Sequence, residues 1–133
     1  MPVLWAGQQM AQQGHSVTVM ASPVYQADVE EWGFKFLPIG TREEFIAQHS
    51  DPGLWDGTKT DKMTLSYTGN SLKYFEEQMK PLKGQYDVLM HNPLALGATV
   101  MAEKHGVPCI TLHPHPFSFW LSARDMPLQR GMP

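Results

Sequence analysis

Three of the chain's histidines, His91, His113 and His115, stand at or just after the ends of segments with strand composition. In an open α/β sheet, ligands bind outside the carboxyl ends of the strands. Imidazoles there can orient a hydroxyl or take its proton. Asn92 follows His91 directly, and an amide can position an imidazole without stabilising its cation as a carboxylate does. The run His113-Pro114-His115-Pro116-Phe117-Ser118-Phe119-Trp120 adds three aromatic rings to two imidazoles. That mixture suits a pocket that buries an apolar ligand and orients its hydroxyl, and the two prolines stiffen the chain that carries it. The plainer reading of the rings is core or interface packing, and that of Asn92 is a helix cap beside a solvated histidine.

His113-x-His115 with His91 also has the makings of a three-imidazole zinc centre, and so of a metal hydrolase. No carboxylate motif accompanies it, so no metal ligand is assigned. Gly14-His15 has the composition of a helix end, where glycine adopts the left-handed cap and a histidine cation favours the dipole, and His15 is not a base candidate. Cys109 is the single cysteine, which excludes an internal disulfide and a thiolate metal cluster. Neither G-x-G-x-x-G nor G-x-x-x-x-G-K-[ST] occurs, so no self-contained phosphate cradle is encoded and no resident cofactor is expected.

The elements that must position these groups read as follows. Pro2 suits a first helical turn, and Val3, Leu4, Ala6, Gly7, Met10 and Ala11 keep helical spacing up to Gly14. Ser16 to Ala21 is a strand, and Ser22-Pro23 opens a helix whose Tyr25, Val29 and Trp32 share a face before Gly33. Phe34 to Ile39 is the next strand, and Thr41 with Glu44 forms a capping box for a short helix through Phe45. His49 to Thr60 reads as a loop around Asp51-Pro52-Gly53, with Trp55 as its buried anchor. Leu65, Leu72, Phe75, Met79 and Leu82 mark a long amphipathic helix. Tyr86 to His91 is a strand, Leu94, Ala98, Met101 and Ala102 a helix stripe ending at Gly106, and Pro108 to His113 a further strand. Strands alternating with single helices predict an α/β, Rossmann-like, doubly wound parallel sheet. The expected opening strand and glycine-rich turn do not precede the first helix.

The chain has 133 residues and a net charge of -3, enough for one domain and without the basic surface that nucleic acid requires. With 42% apolar and 17% charged residues it is globular in composition. No apolar run approaches the ~18 residues of a membrane span, and a cytoplasmic location is expected. Nine methionines beside the aromatics suit an ordinary core as well as an adaptable pocket.

Pro2-Val3-Leu4 with Gln13-Gly14-His15-Ser16-Val17-Thr18-Val19 resembles the first helix and second strand of bacterial two-domain glycosyltransferases of the GT-B fold. Phe36-Leu37-Pro38-Ile39-Gly40-Thr41, Asp51-Pro52-Gly53-Leu54-Trp55, Asn92-Pro93-Leu94-Ala95-Leu96-Gly97-Ala98 and Leu112-His113-Pro114-His115-Pro116 follow in order. They resemble successive landmarks of the N-terminal domain in family 28 glycosyltransferases, the group of rhamnosyltransferases and sterol glucosyltransferases. The resemblance implies that residues 1–133 are the acceptor-side N-terminal domain, lacking its first strand and the whole C-terminal nucleotide-sugar domain. It implies transfer of a hexose from a nucleotide-sugar to a hydroxyl of a lipid-like or other small acceptor, without a protein-bound metal. The expected catalytic base is a His in a glycine-rich loop after the first strand, upstream of Met1, so the isolated chain is expected to be inactive. Asn92 stands where related plant members place the Asp that orients that His. His91, Asn92, His113, His115, Phe117, Phe119 and Trp120 are the expected acceptor-binding residues. The expected partners are the acceptor and a C-terminal nucleotide-sugar-binding domain in cis or in trans. A non-catalytic docking half-protein or remnant is the alternative.

Overall fold

The computed structural model describes residues 2–56, 69 and 72–113. Helix α1 (Pro2–Gln12) leads to strand β1 (Thr18–Ala21), a 3₁₀ turn (Pro23–Tyr25), α2 (Gln26–Glu31) and β2 (Lys35–Pro38). Helix α3 (Arg42–His49) and a 3₁₀ turn (Pro52–Trp55) follow. Helix α4 covers residues 72–79 and runs into a 3₁₀ turn at Lys80–Leu82. The described chain then continues through β3 (Leu89–His91), α5 (Leu96–His105) and β4 (Cys109–Thr111).

Glycine ends α1, α2 and α5 ahead of the strands that follow them. The Gly14 N–H bonds the Ala11 carbonyl and the His15 N–H reaches back to Met10. Gly33 and Phe34 repeat the pattern on Glu30 and Val29, and Gly106 and Val107 on Glu103 and Ala102. This is the Schellman arrangement, which needs a left-handed residue at the turn, and the three glycines have φ of 91°, 80° and 72°. The capping box of α3 is present as well: Thr41 Oγ1 accepts from the Glu44 N–H at 3.2 Å, and Glu44 Oε2 accepts from the Thr41 N–H at 3.0 Å.

β1 pairs with β2 and β3 with β4, both parallel, with Val19 beside Phe36 and His91 beside Thr111. Successive strand residues point to opposite faces, and the clusters sort accordingly. Val17, Val19 and Phe36 pack with Leu4, Val29 and Phe34, the side of α1 and α2. Met20, Ile39 and Leu89 pack with Phe75, Met79, Ala98 and Met101, the side of α4 and α5. Helices therefore cover both faces of the β1–β2 pair, and Met20 from that pair shares a cluster with Leu89 from the other.

Among the described residues no ladder joins the two pairs. In the doubly wound order, the strand that would precede the first helix lies between them, and no described strand precedes α1. The fold is thus α/β and parallel, as the alternation predicts, but seen as two paired ribbons.

Several elements differ from expectation. All four strands are shorter than their apolar runs, because only the stretch paired with a neighbour makes ladder bonds. Ser22-Pro23 starts a 3₁₀ turn that Ser22 does not cap through its side chain. α3 extends to His49, where a loop is predicted, and a 3₁₀ turn follows it. Leu94 precedes α5 and is 78% exposed, so it is not part of that helix's buried stripe. Leu65 lies outside the described residues, as does the side chain of Trp55.

Candidate functional site at the strand ends

In both parallel pairs the carboxyl ends of the two strands lie on the same side, and the residues leaving them are Ser22, Ile39 to Thr41, Asn92 and Leu112-His113. The ladders extend one bond past the strands, with the Ile39 N–H on the Ala21 carbonyl at 2.8 Å and the Leu112 N–H on the His91 carbonyl at 2.7 Å. Main-chain pairing thereby holds rigid the places from which the candidate residues emerge.

His91 is 7% exposed and is the buried polar residue of the described core. Its Nδ1 lies 2.6 Å from the Asn92 carbonyl oxygen. Its Nε2 lies 3.2 Å from Thr99 Oγ1 on α5 and 3.1 Å from Thr111 Oγ1 on β4. Both ring nitrogens are therefore engaged within the protein. The parallel register that sets His91 beside Thr111 brings that hydroxyl to the ring.

Asn92 is exposed. Its Oδ1 accepts from the Leu94 N–H at 2.9 Å and the Ala95 N–H at 3.1 Å, closing the turn that starts α5. Asn92 thus closes a turn ahead of α5 and does not cap the helix, whose N-cap is Ala95 without a side-chain bond, and its amide NH₂ is not used in that turn. His113 is partly buried, two residues beyond Thr111 on the neighbouring strand. His91, Asn92 and His113 thus emerge from one strand pair. His115, Phe117, Phe119 and Trp120 lie outside the described residues.

The β1–β2 pair carries a second group, which sequence spacing does not reveal. Ser22 Oγ is buried without a hydrogen-bond partner among the described residues. Tyr25 meets Phe45 edge to face at 5.5 Å, and Phe45 stacks on His49 at 3.9 Å. His49 Nδ1 donates to the Phe45 carbonyl at 2.8 Å. Glu44 Oε1 accepts a hydrogen bond from the Tyr74 hydroxyl, which arrives from α4. That hydroxyl, followed by the Thr41 N–H, holds the Glu44 carboxyl below its ordinary range, and Glu44 in turn pushes the Tyr74 hydroxyl up. Gly40, with φ of 67°, passes beneath this pair, and a Cβ there would lie 3.4 Å from Glu44 Oε2. Tyr74 and Glu44 stand thirty residues apart in the chain, so only the packing of α4 against the β2–α3 turn makes them neighbours.

Away from the strand ends, Tyr86 OH lies 2.7 Å from His105 Nδ1, and burial raises the Tyr86 hydroxyl pKa. An open groove of about 510 Å³ includes Gln8, Gln12, His15, Trp32 and Lys35 in its lining. It lies at the amino ends of β1 and β2, where a parallel sheet does not place its ligand crevice, and His15 there is the exposed last residue of the α1 cap. No three His, Cys, Asp or Glu side chains gather as a metal site among the described residues. None of the described helices is long and apolar enough to cross a membrane.

No family model and no curated protein matches the sequence. Solved structures do match. The glycotransferase of kitacinnamycin is 23% identical with a TM-score of 0.68, over 89% of this chain and 28% of that one. The calicheamicin glycosyltransferase CalG4 is 17% identical with a TM-score of 0.61, over 91% of this chain and 31% of its own. The chain spans less than a third of the length of either. With helices packed on parallel strand pairs, it has the α/β fold found in part of these two glycosyltransferases.

Proposed function

We propose that this chain is the acceptor-side part of a glycosyltransferase that moves a hexose from a nucleotide-sugar to a hydroxyl of a lipid-like or other small acceptor, in the cytoplasm. The observation that carries the reading is the fold shared over about nine-tenths of this chain with two glycosyltransferases. The parallel strand ends bearing Asn92 and His113 support it, since this is the edge where α/β folds bind ligands. His91 has both nitrogens engaged, so in this reading it supports the site from beneath and does not abstract the acceptor's proton. Transfer needs both reactants in near-attack geometry. The nucleotide-sugar belongs to a further domain, in cis or in trans, and the chain by itself binds acceptor without turnover.

The test is an NMR titration of the isotope-labelled chain with a hydroxylated apolar compound, such as 4-methylumbelliferone, and separately with UDP-glucose. Shifts at Ser22, Thr41, Asn92 and His113 with the first and none with the second are expected. Shifts with UDP-glucose alone would overturn the acceptor-side assignment. Glycosylated product formed by the chain alone would overturn its dependence on a partner domain.

A docking half-protein without chemistry of its own is the second reading. It is favoured by the exposure of Leu94, Leu96, Val100 and Ile110 around α5 and β4, apolar surface of the kind that marks a protein contact.

A further inference from the structure

We infer that Thr99 and Thr111 are positioning residues that set how Asn92 meets a ligand, and that Asn92 meets it as a hydrogen-bond donor only. The inference rests on the acceptor-side reading for the ligand's class alone. A carbonyl oxygen can only accept, so the 2.6 Å contact between His91 Nδ1 and the Asn92 carbonyl places a proton on Nδ1. In that tautomer Nε2 is the acceptor, and two hydroxyls reach it, Thr99 Oγ1 at 3.2 Å and Thr111 Oγ1 at 3.1 Å. Each hydroxyl can rotate to donate. One imidazole is thereby held in one tautomer by groups from α5, β4 and the β3–α5 turn, in a place almost closed to water.

The ring passes this constraint on to Asn92. Its N–H holds the Asn92 carbonyl, while Asn92 Oδ1 spends its two lone pairs on the N–H groups of Leu94 and Ala95. The amide NH₂ remains, on an exposed residue at the carboxyl end of β3. A donor pair is matched by a lone-pair oxygen, such as the hydroxyl or carbonyl oxygen of an acceptor molecule, and not by an N–H. An imidazole N–H brought to this edge would therefore find no acceptor on the Asn92 side chain, in contrast to a carboxylate at the same place.

The experiment uses the whole 133-residue chain, labelled with nitrogen-15. Long-range proton–nitrogen spectra read the His91 tautomer directly, with the Nδ1–H form expected, and a dominant Nε2–H form would overturn the inference. The Thr99→Val, Thr111→Val double variant strips both hydroxyls from Nε2 and is expected to move the His91 Nε2 resonance and the Asn92 side-chain NH₂ signals, while the Asn92 carbonyl still holds the proton on Nδ1. The corresponding serine variant, which keeps both hydroxyls, is expected to restore them. Should the double variant not fold, the single valine variants are read in the same way. An unmoved Nε2 resonance and unshifted Asn92 signals in the valine variants would show that the threonines position nothing.

The donor-only role is tested with Asn92→Asp and two small probes. Acetophenone, which can only accept, is expected to bind roughly tenfold more weakly to Asn92→Asp, a loss of about 1.4 kcal/mol. Phenol, which can also donate, is expected to keep its affinity. Equal behaviour of the probes would overturn the donor-only role while leaving the acceptor-side reading intact, provided their shifts fall at the strand ends. Shifts confined to another surface would overturn that reading and the ligand role together, and the tautomer result would still stand.

Discussion

At the residue scale, the bond from the Tyr74 hydroxyl to Glu44 joins α4 to the start of α3. It holds the Glu44 carboxyl low, so its contribution to stability is present above the ordinary glutamate pKa and fades as pH falls through the lowered value. Tyr74, shifted up by the same bond, loses its contribution on the alkaline side as it ionises. Tyr74→Phe is therefore expected to return the Glu44 carboxyl toward its ordinary range, read from its carbon-13 shift against pH. An unmoved Glu44 titration would show that the hydroxyl is not the cause. Thr41→Ala removes the other half of the capping box and is expected to cost about 1 kcal/mol in chemical denaturation. Thr41 and Glu44 are legible in the sequence because a capping box is local. Tyr74 is not, because nothing near it records which turn it will meet.

At the element scale, the approach of α5 to α4 depends on Gly97. A Cβ at that position would lie 2.5 Å from Phe75 Cδ2 and 2.9 Å from its Cβ. Phe75 is itself buried in the cluster with Met79, Ala98 and Met101. Gly97→Ala must push α5 or Phe75 outward and is expected to destabilise the chain by about 1–3 kcal/mol, despite alanine's better helix propensity. A rise in Tm would mean that propensity outweighs the clash. The ion pair between Lys104 and Glu76 spans the same two helices at 2.9 Å but is exposed, and its loss is expected to leave Tm nearly unchanged. The apolar spacing of Ala98, Met101 and Ala102 predicts their burial. It also predicts Leu94 within the stripe, which fails because the Asn92 turn starts the helix after it.

At the scale of the whole molecule, Met20 carries cohesion between the strand pairs. It extends from β1 into the cluster that also holds Leu89 of β3, while no described ladder connects those strands. Met20→Ala is expected to cost about 2 kcal/mol or more and to raise hydrogen exchange in both pairs together. Faster exchange confined to β1 and β2 would show that the pairs open independently. The large apolar side chains left exposed, among them Trp5 and Leu94, belong to a chain that spans under a third of the glycosyltransferases it resembles in fold. In the acceptor-side reading, part of that surface faces further polypeptide.

The sequence by itself determined the elements, because their signals are short-range. Gly14, Gly33 and Gly106 end helices whatever lies beyond, Thr41 and Glu44 cap within one turn, and alternation of helix with strand requires parallel crossovers. It also singled out the strand ends that bear His91, Asn92 and His113, since a strand's direction along the chain is known once its neighbours are helices. Tertiary structure alone decided what those residues became. His91 is caught between hydroxyls eight and twenty residues away, and Asn92 spends its oxygen on the turn it starts. Hydrogen-bond capacity is limited and directional. What a polar side chain offers a ligand is therefore set by the partners it has already found, and those partners are chosen by packing.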